Sequence, residues 1–511
     1  MFCSATRYKF SFFFIFLSFV LQASPGLGET VNLLTLEDAI DIALEKSYEM
    51  KSLHLAVIAA EERLVAAKGR FKTNAEMNMD IPSWRESVTS IPVQDALPVF
   101  NTTGTVRFEG QLNIIQPLPT DGNLTLTSRM YHNDVSTYVA ELANSLKRKD
   151  VLSSISLNFY QPLFTLNRLK IGLKQADLRY ERTNRRFKRS ELNIIYRVTD
   201  SFFALYQATR QYQIAQDNVN QQQELYDLAS KKYEAGLIPE VEALQMEVDL
   251  AESRSAMVAA EATQSRSRDT FIQLIGLKFS DQVGVKTEFE FAKIEVDLDR
   301  AVELALENRA EIRESEIDVE LSKISVKEAD AASDIQGTLW AFYDITGVSD
   351  ANLPYNSSPQ ELWRSSLDDM ERRPNNRGVG FTLSVPIFDW GVNRAEVAAA
   401  RAELRDTELA LEEEKKTIIR EVRTAVNRLA ETENRLEVLQ KREEVAQRAF
   451  DISLQRFNNG DITSQELALD RDRLISSKTA YLNAYVEYRL AVADLKQKTM
   501  WDFETDQSLV E

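Results

Sequence analysis

One unit of sequence occurs twice in this chain. YEAGLIPEVE, from Tyr233, and FNNGDITSQE, from Phe457, each place an aromatic residue three positions before a glycine and a glutamate six positions after it. The same offset of 224 superimposes QPLF on VPIF, whereas LTLEDAIDIAL at residues 34–44 matches VDLDRAVELAL at residues 296–306 at an offset of 262. Repetition on this scale predicts two copies of one structural plan rather than a string of unrelated domains.

The repeat divides the chain into five predicted segments. They are a signal peptide at residues 1–28, a first repeat at 29–277, a linker at 278–297, a second repeat at 298–500 and a C-terminal tail at 501–511. Each repeat is predicted to run helix, strands, long helix, glycine turn, helix. The two offsets differ by 38 residues, all in the first half, where QPLPTDGNLTLTS predicts a hairpin that turns near Asp121 and Gly122. This insertion either lengthens loops or adds strands.

Glycine and proline are scarce, so the chain has few points at which a helix can reverse direction. The 511 residues include 16 glycines and 12 prolines. Proline is absent from about 167–235 and from about 392–459, which predicts two helices of roughly 70 residues, about 105 Å long. The opening helices, about 36–69 and 298–333, and the returning helices after the glycines are predicted to be half as long. Two short helices placed end to end would match one long helix, which predicts a barrel of helices packed as coiled coils.

Between the predicted helices, apolar and polar residues alternate. VRFEGQLNIIQ puts Val106 and Phe108 on one face and Arg107 and Glu109 on the other, and NLTLTSRMY, SISLNFYQP, TLWAFYDI and GVGFTLSVP repeat the pattern. Such two-faced strands suit a sheet between lipid and a wet lumen, and equally the half-buried sheet of a soluble protein. Four to six strands per chain are too few to close a barrel, so a membrane sheet would need other copies to complete it.

The N-terminus and the charge indicate where the protein works. Arg7, Lys9, the apolar run at 10–23 and the small residues after it predict a secretory signal peptide, which would remove the only cysteine, Cys3. No later apolar run reaches the ~18 residues of a membrane helix. The net charge of −18 argues against nucleic acid as a partner, and the densest basic cluster, RTNRRFKRS at 182–190, is interpreted as a solvated helix face.

These elements together resemble a known family. The doubled LTLEDAIDIAL, the QPLF and VPIF strand exits, DWGVNRAEVAAARAEL and the doubled aromatic-x-x-glycine turn are similar to the TolC family of outer-membrane efflux and secretion channels. The resemblance implies a fold that is mostly α with membrane β. It would be a long coiled-coil α-helical periplasmic barrel plus a transmembrane β-barrel shared between protomers, with two internal repeats. It also implies a homotrimer with a twelve-stranded barrel in the outer membrane of a Gram-negative bacterium.

The resemblance also implies a function and partners. The chain would be the outer-membrane channel of a tripartite efflux or type I secretion system. It would work with a periplasmic adaptor (membrane fusion) protein and an inner-membrane RND, ABC or MFS transporter, and it would contact outer-membrane lipid. Efflux and protein secretion remain alternatives, because specificity in such systems is expected to lie mainly in the pump.

In that family the glycine turns are hairpin tips at the periplasmic entrance, where the adaptor docks. The resemblance carries adaptor docking onto Gly236, Leu237, Ile238, Gly460, Asp461 and Ile462. Glycine is also expected on physical grounds, since a tight reversal between helices needs a positive φ.

Two further sets of residues follow from the resemblance. The periplasmic entrance constriction is carried onto Tyr233, Glu242, Phe457 and Glu466, although the two glutamates are equally well explained as ordinary exposed helix residues. The family's next acidic position is occupied by Leu469, with Asp470 one residue out of phase. The strand-to-helix junctions are placed at Pro162, Thr165, Pro386 and Asp389, with Thr165 and Asp389 as helix N-caps.

Two rival classes are weighed against a channel. An enzyme is disfavoured because the mature chain has two histidines, His54 and His132, no thiol, no phosphate-binding loop and no metal-ligand spacing. We therefore expect no catalysis and no cofactor, and we interpret both histidines as surface residues. The other rival is an exported acidic coiled-coil scaffold without a pore, which explains the helices and the charge but not the alternating segments at matching places in both repeats.

Overall fold

The computed structural model describes residues 32–92, 97–139, 144–286 and 293–509. The predicted signal peptide therefore lies outside the described residues. Contacts divide the described chain into two compact units, Met1–Ile42 with Ser201–Glu290 and Ala43–Asp200 with Phe291–Glu511. They are called the first unit and the second unit.

The helices repeat almost residue for residue. The described helices are α1 (Leu36–Lys46), α2 (Tyr48–Gly69), α3 (Arg168–Glu234), α4 (Glu240–Ile275), α5 (Leu298–Asn308), α6 (Ala310–Ala331), α7 (Pro359–Arg372), α8 (Val392–Asn459) and α9 (Ser464–Thr499). Helices α1 and α2 begin 262 residues before α5 and α6, and α3 and α4 begin 224 residues before α8 and α9. The internal repeat is confirmed, while the division into five segments stays a prediction. With 67 and 68 residues, α3 and α8 are each about 100 Å long.

Each opening helix is broken, which the sequence did not predict. Ser47 separates α1 from α2 with φ −60° and ψ 145°, and Arg309 separates α5 from α6 with φ −68° and ψ 126°. Both residues are extended, so the backbone hydrogen-bond ladder is interrupted. The Ser47 hydroxyl compensates by accepting the N–H of Met50 at 3.2 Å. The expectation of one uninterrupted helix at 36–69 and at 298–333 was therefore wrong.

The strands form one large sheet and two small ribbons. They are β1 (Asn32–Leu34), β2 (Asn74–Ile91), β3 (Val99–Pro117), β4 (Asn123–Val139), β5 (Asn144–Leu163), β6 (Val283–Val285), β7 (Gln336–Val348), β8 (Asn376–Ser384), β9 (Trp501–Asp502) and β10 (Gln507–Ser508). The large sheet has six strands in the order β2-β3-β4-β5-β7-β8, and every neighbouring pair is antiparallel. The predicted hairpin at Asp121 is confirmed, since β3 and β4 pair on either side of it and Asp121 has φ +71°.

The large sheet has one apolar and one polar face, as the alternation predicts. Phe108 pairs with His132 and Leu126 pairs with Leu157, which places these side chains on one face. The neighbouring positions on the other face include Arg107, paired with Asn133.

Helix α7 lies on the apolar face of this sheet. The Ser366 hydroxyl donates to the carbonyl of Gly347 at 2.9 Å, and Asp369 accepts the N–H of Val348 at 2.8 Å. A Cβ on Gly347 would lie 2.0 Å from the Ser366 carbonyl oxygen, so only glycine allows this approach.

Ion pairs join α3 to α6 in the second unit. Arg182 meets Asp318 at 2.5 Å and Arg189 meets Glu314 at 3.3 Å. Arg313 returns the contact to Glu181 at 2.7 Å. The basic cluster at 182–190 thus has acidic partners on the facing helix, and its interpretation as a simply solvated face was incomplete.

Buried apolar residues form the cores. In the second unit Ala301, Ala305 and Ile312 pack with Ile418 and Val422, which fastens the opening helices of the second repeat to α8. In the first unit the ring centroids of Phe202 and Phe271 are 6.0 Å apart, which joins α3 to α4. Burial of large apolar side chains of this kind is the main contribution to helix pairing.

Candidate functional site

The first hairpin tip joins α3 to α4 through Gly236. This glycine has φ +72°. Its N–H donates to the carbonyl of Tyr233 at 2.8 Å, and the N–H of Leu237 donates to the carbonyl of Lys232 at 2.8 Å. These two hydrogen bonds define a Schellman motif, which ends a helix with a left-handed residue.

The second hairpin tip, between α8 and α9, has the same backbone. Gly460 has φ +85°, its N–H donates to the carbonyl of Phe457 at 3.1 Å, and the N–H of Asp461 donates to the carbonyl of Arg456 at 2.9 Å. The predicted positive φ is therefore confirmed at both glycines. A Cβ would meet nothing within 4 Å at either position, so the requirement for glycine comes from the backbone and not from crowding.

The returning helices begin differently at the two tips. In α9 the Thr463 hydroxyl accepts the N–H of Glu466, and the Glu466 carboxylate accepts the N–H of Thr463, forming a capping box. In α4 the equivalent N-cap is Pro239, which makes no side-chain cap. Glu466 is exposed and engaged in helix capping, whereas Glu242 is half-buried in the first turn of α4.

The aromatic residues before the glycines also differ. Tyr233 is 41% exposed, whereas Phe457 is 2% exposed within its own chain. The prediction that Phe457 lines a constriction does not fit the structure, because its ring is enclosed at the end of α8. Sequence similarity between an aromatic pair does not reveal which ring is buried.

An exposed apolar stripe is present at the first tip and is not repeated at the second. Leu237, Val241, Leu244 and Val248 are between 52% and 74% exposed and follow one face of α4 at spacings of four, three and four. The equivalent residues of the second repeat are Asp461, Gln465, Ala468 and Asp472. The two tips therefore share a backbone but present different surfaces, and we call the first set the α4 stripe.

Asp470 links the two helices of the second hairpin. Its carboxylate accepts the Ser453 hydroxyl of α8 at 2.6 Å and meets Arg473 of α9 at 3.0 Å. This accounts for the out-of-phase acidic position, since Leu469 faces solvent while Asp470 turns towards α8.

A charged network crosses the polar face of the sheet. Glu109 on β3 meets Arg129 on β4 at 2.6 Å and Arg107 at 3.5 Å. Arg107 also donates to Asn133 at 2.8 Å, and Asn133 donates to Asp150 on β5 at 3.0 Å. Sequence reasoning found Arg107 and Glu109 by alternation. Their partners on β4 and β5 depend on strand register, which the sequence did not specify.

The junctions between strands and long helices are held by side chains other than those predicted. Helix α3 begins at Arg168, and Asn167 accepts the N–H of Lys170 at 2.9 Å, so the assignment of Thr165 as its N-cap was wrong. Asp121, from the β3–β4 turn, accepts the N–H groups of Arg168 and Leu169 at 3.1 and 3.3 Å. The sequence signal for this second acceptor was the turn itself.

The second junction uses Asp389 as an acceptor. Its carboxylate accepts the N–H groups of Gly391 and Asn393, both at 2.9 Å, and these bonds, from Asn393 first, lower the pKa of Asp389. Helix α8 begins one residue after Gly391, so Asp389 acts from outside the N-cap position. Pro162 is still within β5, paired with Thr338, while Pro386 follows the end of β8.

An ion cluster holds the break between α5 and α6. The Arg309 guanidinium lies 2.7 Å from Glu311 and 2.7 Å from Glu421 on α8, with 11% of its side chain exposed. Burial opposes the charge on Glu311, but the hydrogen bond and charge of Arg309 outweigh it and lower the pKa of Glu311. The break is thereby fastened to the long helix.

The histidines occupy different settings. His54 is exposed on α2, 4.9 Å from the ring of Phe187. His132 lies on the apolar face of the sheet, and its Nδ1 is enclosed without a hydrogen-bond partner. It lines a cavity of about 490 Å³ between the sheet and α7, together with Met79, Met130 and Trp363. The interpretation as a surface residue holds for His54 and was wrong for His132.

Within the described residues, no cluster of three or more His, Cys, Asp and Glu side chains is arranged to hold a metal ion. None of the helices in that part of the chain combines the length and the apolar character needed to cross a membrane.

The architecture is shared with solved transport channels. It is similar to CmeC of Campylobacter jejuni, an outer membrane channel, with a TM-score of 0.65 at 13% identity, covering 91% of this chain and 85% of that one. The outer membrane protein VceC from Vibrio cholerae gives 0.63 at 15% identity, covering 91% and 95%. The outer-membrane channel OprN gives 0.63 at 16% identity, covering 91% and 89%.

The fold is thus that of an outer-membrane channel. The sequence profile of the Outer membrane efflux protein family matches residues 123–277 and 301–499. This chain belongs to the outer membrane efflux protein family, whose members are transport proteins, so the resemblance noted in the sequence is confirmed. Comparison with curated proteins gives no match.

Proposed function

We propose that this protein is the outer-membrane channel of a tripartite export assembly in a Gram-negative bacterium, with its helices in the periplasm. One observation carries the proposal. A single chain combines two long helical hairpins, each reversed by a Schellman glycine, with a sheet that has one apolar and one polar face. A homotrimer would join three such sheets into a shared transmembrane β-barrel, with apolar residues against lipid and the charged network in the lumen.

The hairpin tips would be the docking points for a periplasmic adaptor, which in turn meets an inner-membrane RND, ABC or MFS transporter. The exposed α4 stripe supports docking at the first tip, since apolar side chains in a regular helical row are the pattern by which one helix recognises another. At the second tip Asp461 and Ile462 would make a more polar contact. Efflux and type I secretion share this arrangement.

Tyr233, Glu242 and Glu466 would narrow the periplasmic entrance. Two carboxylates per protomer in a confined opening would favour cations over anions. Phe457 would support the tip from within rather than line it.

Single-channel recording of the mature protein in planar bilayers tests the proposal. We expect stable unitary currents with a preference for cations. Glu242→Gln and Glu466→Gln should each weaken that preference. Glutamine retains the capping bond at residue 466, so that variant changes charge without disturbing the helix start. Folded protein that gives no current, even after removal of both tips, would support the scaffold alternative instead.

A further inference from the structure

The two repeats contain different numbers of strands. In the second repeat β7 pairs directly with β8. Their counterparts at offsets of 262 and 224 are β2 and β5, which are separated in the sheet by β3 and β4. The 38 extra residues of the first half therefore correspond to one long hairpin inserted between two strands that would otherwise be neighbours.

The outer edge of β2 is unpaired in a single chain. All 18 residues of β2 are exposed, among them Met77, Met79, Ile81 and Trp84, each more than half exposed. A long apolar edge strand of this kind is normally covered or paired, because free edges promote uncontrolled association. The unpaired edge at the opposite side of the described sheet belongs to β8.

Strand direction makes a second copy of this chain the partner for that edge. Five successive antiparallel pairings separate β2 from β8, so these two strands run in opposite directions. Around a rotation axis, β8 of one copy therefore meets β2 of the next in the antiparallel sense. An inserted hairpin preserves this relationship, whereas a single added strand would destroy it.

We propose that all six strands of each copy enter the closed sheet, so that the trimeric channel proposed above has eighteen strands rather than the twelve implied by the family resemblance. This inference rests on the proposed function and concerns the width of its duct. The β3–β4 hairpin contributes the wall of the lumen that carries Arg107, Glu109 and Arg129.

The expected change in width is large. With strands about 4.8 Å apart and tilted by about 40°, twelve strands enclose a cylinder about 24 Å across between backbones, and eighteen strands one about 36 Å across. A lumen of that size admits hydrated solutes that a twelve-stranded lumen excludes, as in porins of 16–18 strands.

Electron cryo-microscopy of the purified protein in lipid nanodiscs tests the inference by counting strands per copy. Six strands per copy in a three-fold particle are expected. A three-fold particle with four strands per copy, and with β3 and β4 folded outside the sheet, would overturn the inference and leave the proposed channel intact. A particle without a closed sheet would overturn both.

A deletion supplies an independent measurement. Removing residues 99–139 leaves β2 and β5 to pair as β7 and β8 do. Neutral polymers of graded size, added on the side of the sheet away from the helices, report the size excluded from the lumen. The cut-off diameter should fall by about one third in the variant. An unchanged cut-off in a folded variant would contradict the inference. If the variant does not fold, the strand count of the unaltered protein decides.

Discussion

Thr463 and Glu466 each accept a hydrogen bond from the other's backbone N–H, at 3.3 and 3.2 Å respectively. The equivalent pair at the first tip, Pro239 and Glu242, lacks this reciprocity because proline has no N–H to donate. The two tips therefore differ in how firmly the returning helix is started, although the turns before them are alike.

Loss of the Thr463 hydroxyl should weaken the second tip. Thr463→Ala removes the acceptor for the N–H of Glu466 and should lower the free energy of unfolding by about 1 kcal/mol. Thr463→Ser keeps the hydroxyl and serves as the control. Urea unfolding followed by circular dichroism measures the difference. Equal loss in both variants would show that the methyl group, and not the cap, matters.

Substitution of the turn glycine should be costly for a backbone reason alone. Gly460→Ala forces a Cβ into a left-handed residue and should destabilise the protein by about 1–2 kcal/mol. The matched control is Gly172→Ala in the interior of α3, where a Cβ also meets nothing within 4 Å but φ is helical. That control should be stabilising by up to about 1 kcal/mol. Thermal unfolding of both variants compares the opposite signs.

Gly347→Ala should detach α7 from the sheet. The new Cβ would lie 2.0 Å from the Ser366 carbonyl oxygen and 2.6 Å from the Met370 nitrogen. Limited trypsin digestion should then cleave faster after Arg364 and Arg372. Gly110→Ala, whose Cβ meets nothing within 4 Å, should leave the digestion pattern unchanged. Equal protection in both variants would contradict the described contact.

Acid should loosen the contact between α3 and α6. The hydrogen bond from Arg313 lowers the pKa of Glu181, with the charge of Arg313 adding to the effect against partial burial. A carboxyl whose pKa is lower in the folded state contributes stability above its unfolded pKa and loses it as pH falls through the folded value. Glu181→Gln should therefore reduce stability by up to about 1 kcal/mol at neutral pH and have no effect at low pH. Urea midpoints at neutral pH and near pH 3 measure this, and an equal loss at both would rule out a charge effect.

Sequence periodicity predicted the helices well, because a long polar–apolar helical pattern without proline has few alternatives. It missed the breaks at Ser47 and Arg309, since neither residue is a helix breaker. At Arg309 the break is held by the distant Glu421, which only the folded chain brings near. It also missed α7, although Ser358, Pro359 and Glu361 form a capping box that was readable in the sequence.

The candidate site was less predictable because it depends on surfaces. The glycines follow from turn geometry, and the structure confirms their φ values. The burial of Phe457 and the exposure of Tyr233 depend on the packing of each hairpin, as does the inward turn of Asp470. The difference between Thr165 and Asn167 as helix cap depends on where the strand ends, which differs by a few residues from the pattern.

The inserted hairpin leaves every repeated helix at its original offset, on both sides of the insertion. Length was thus added to one part of the molecule without any adjustment in the other. Natural variation, or an engineer, can therefore change the calibre of the outer opening while the machinery that meets the rest of the export apparatus stays interchangeable.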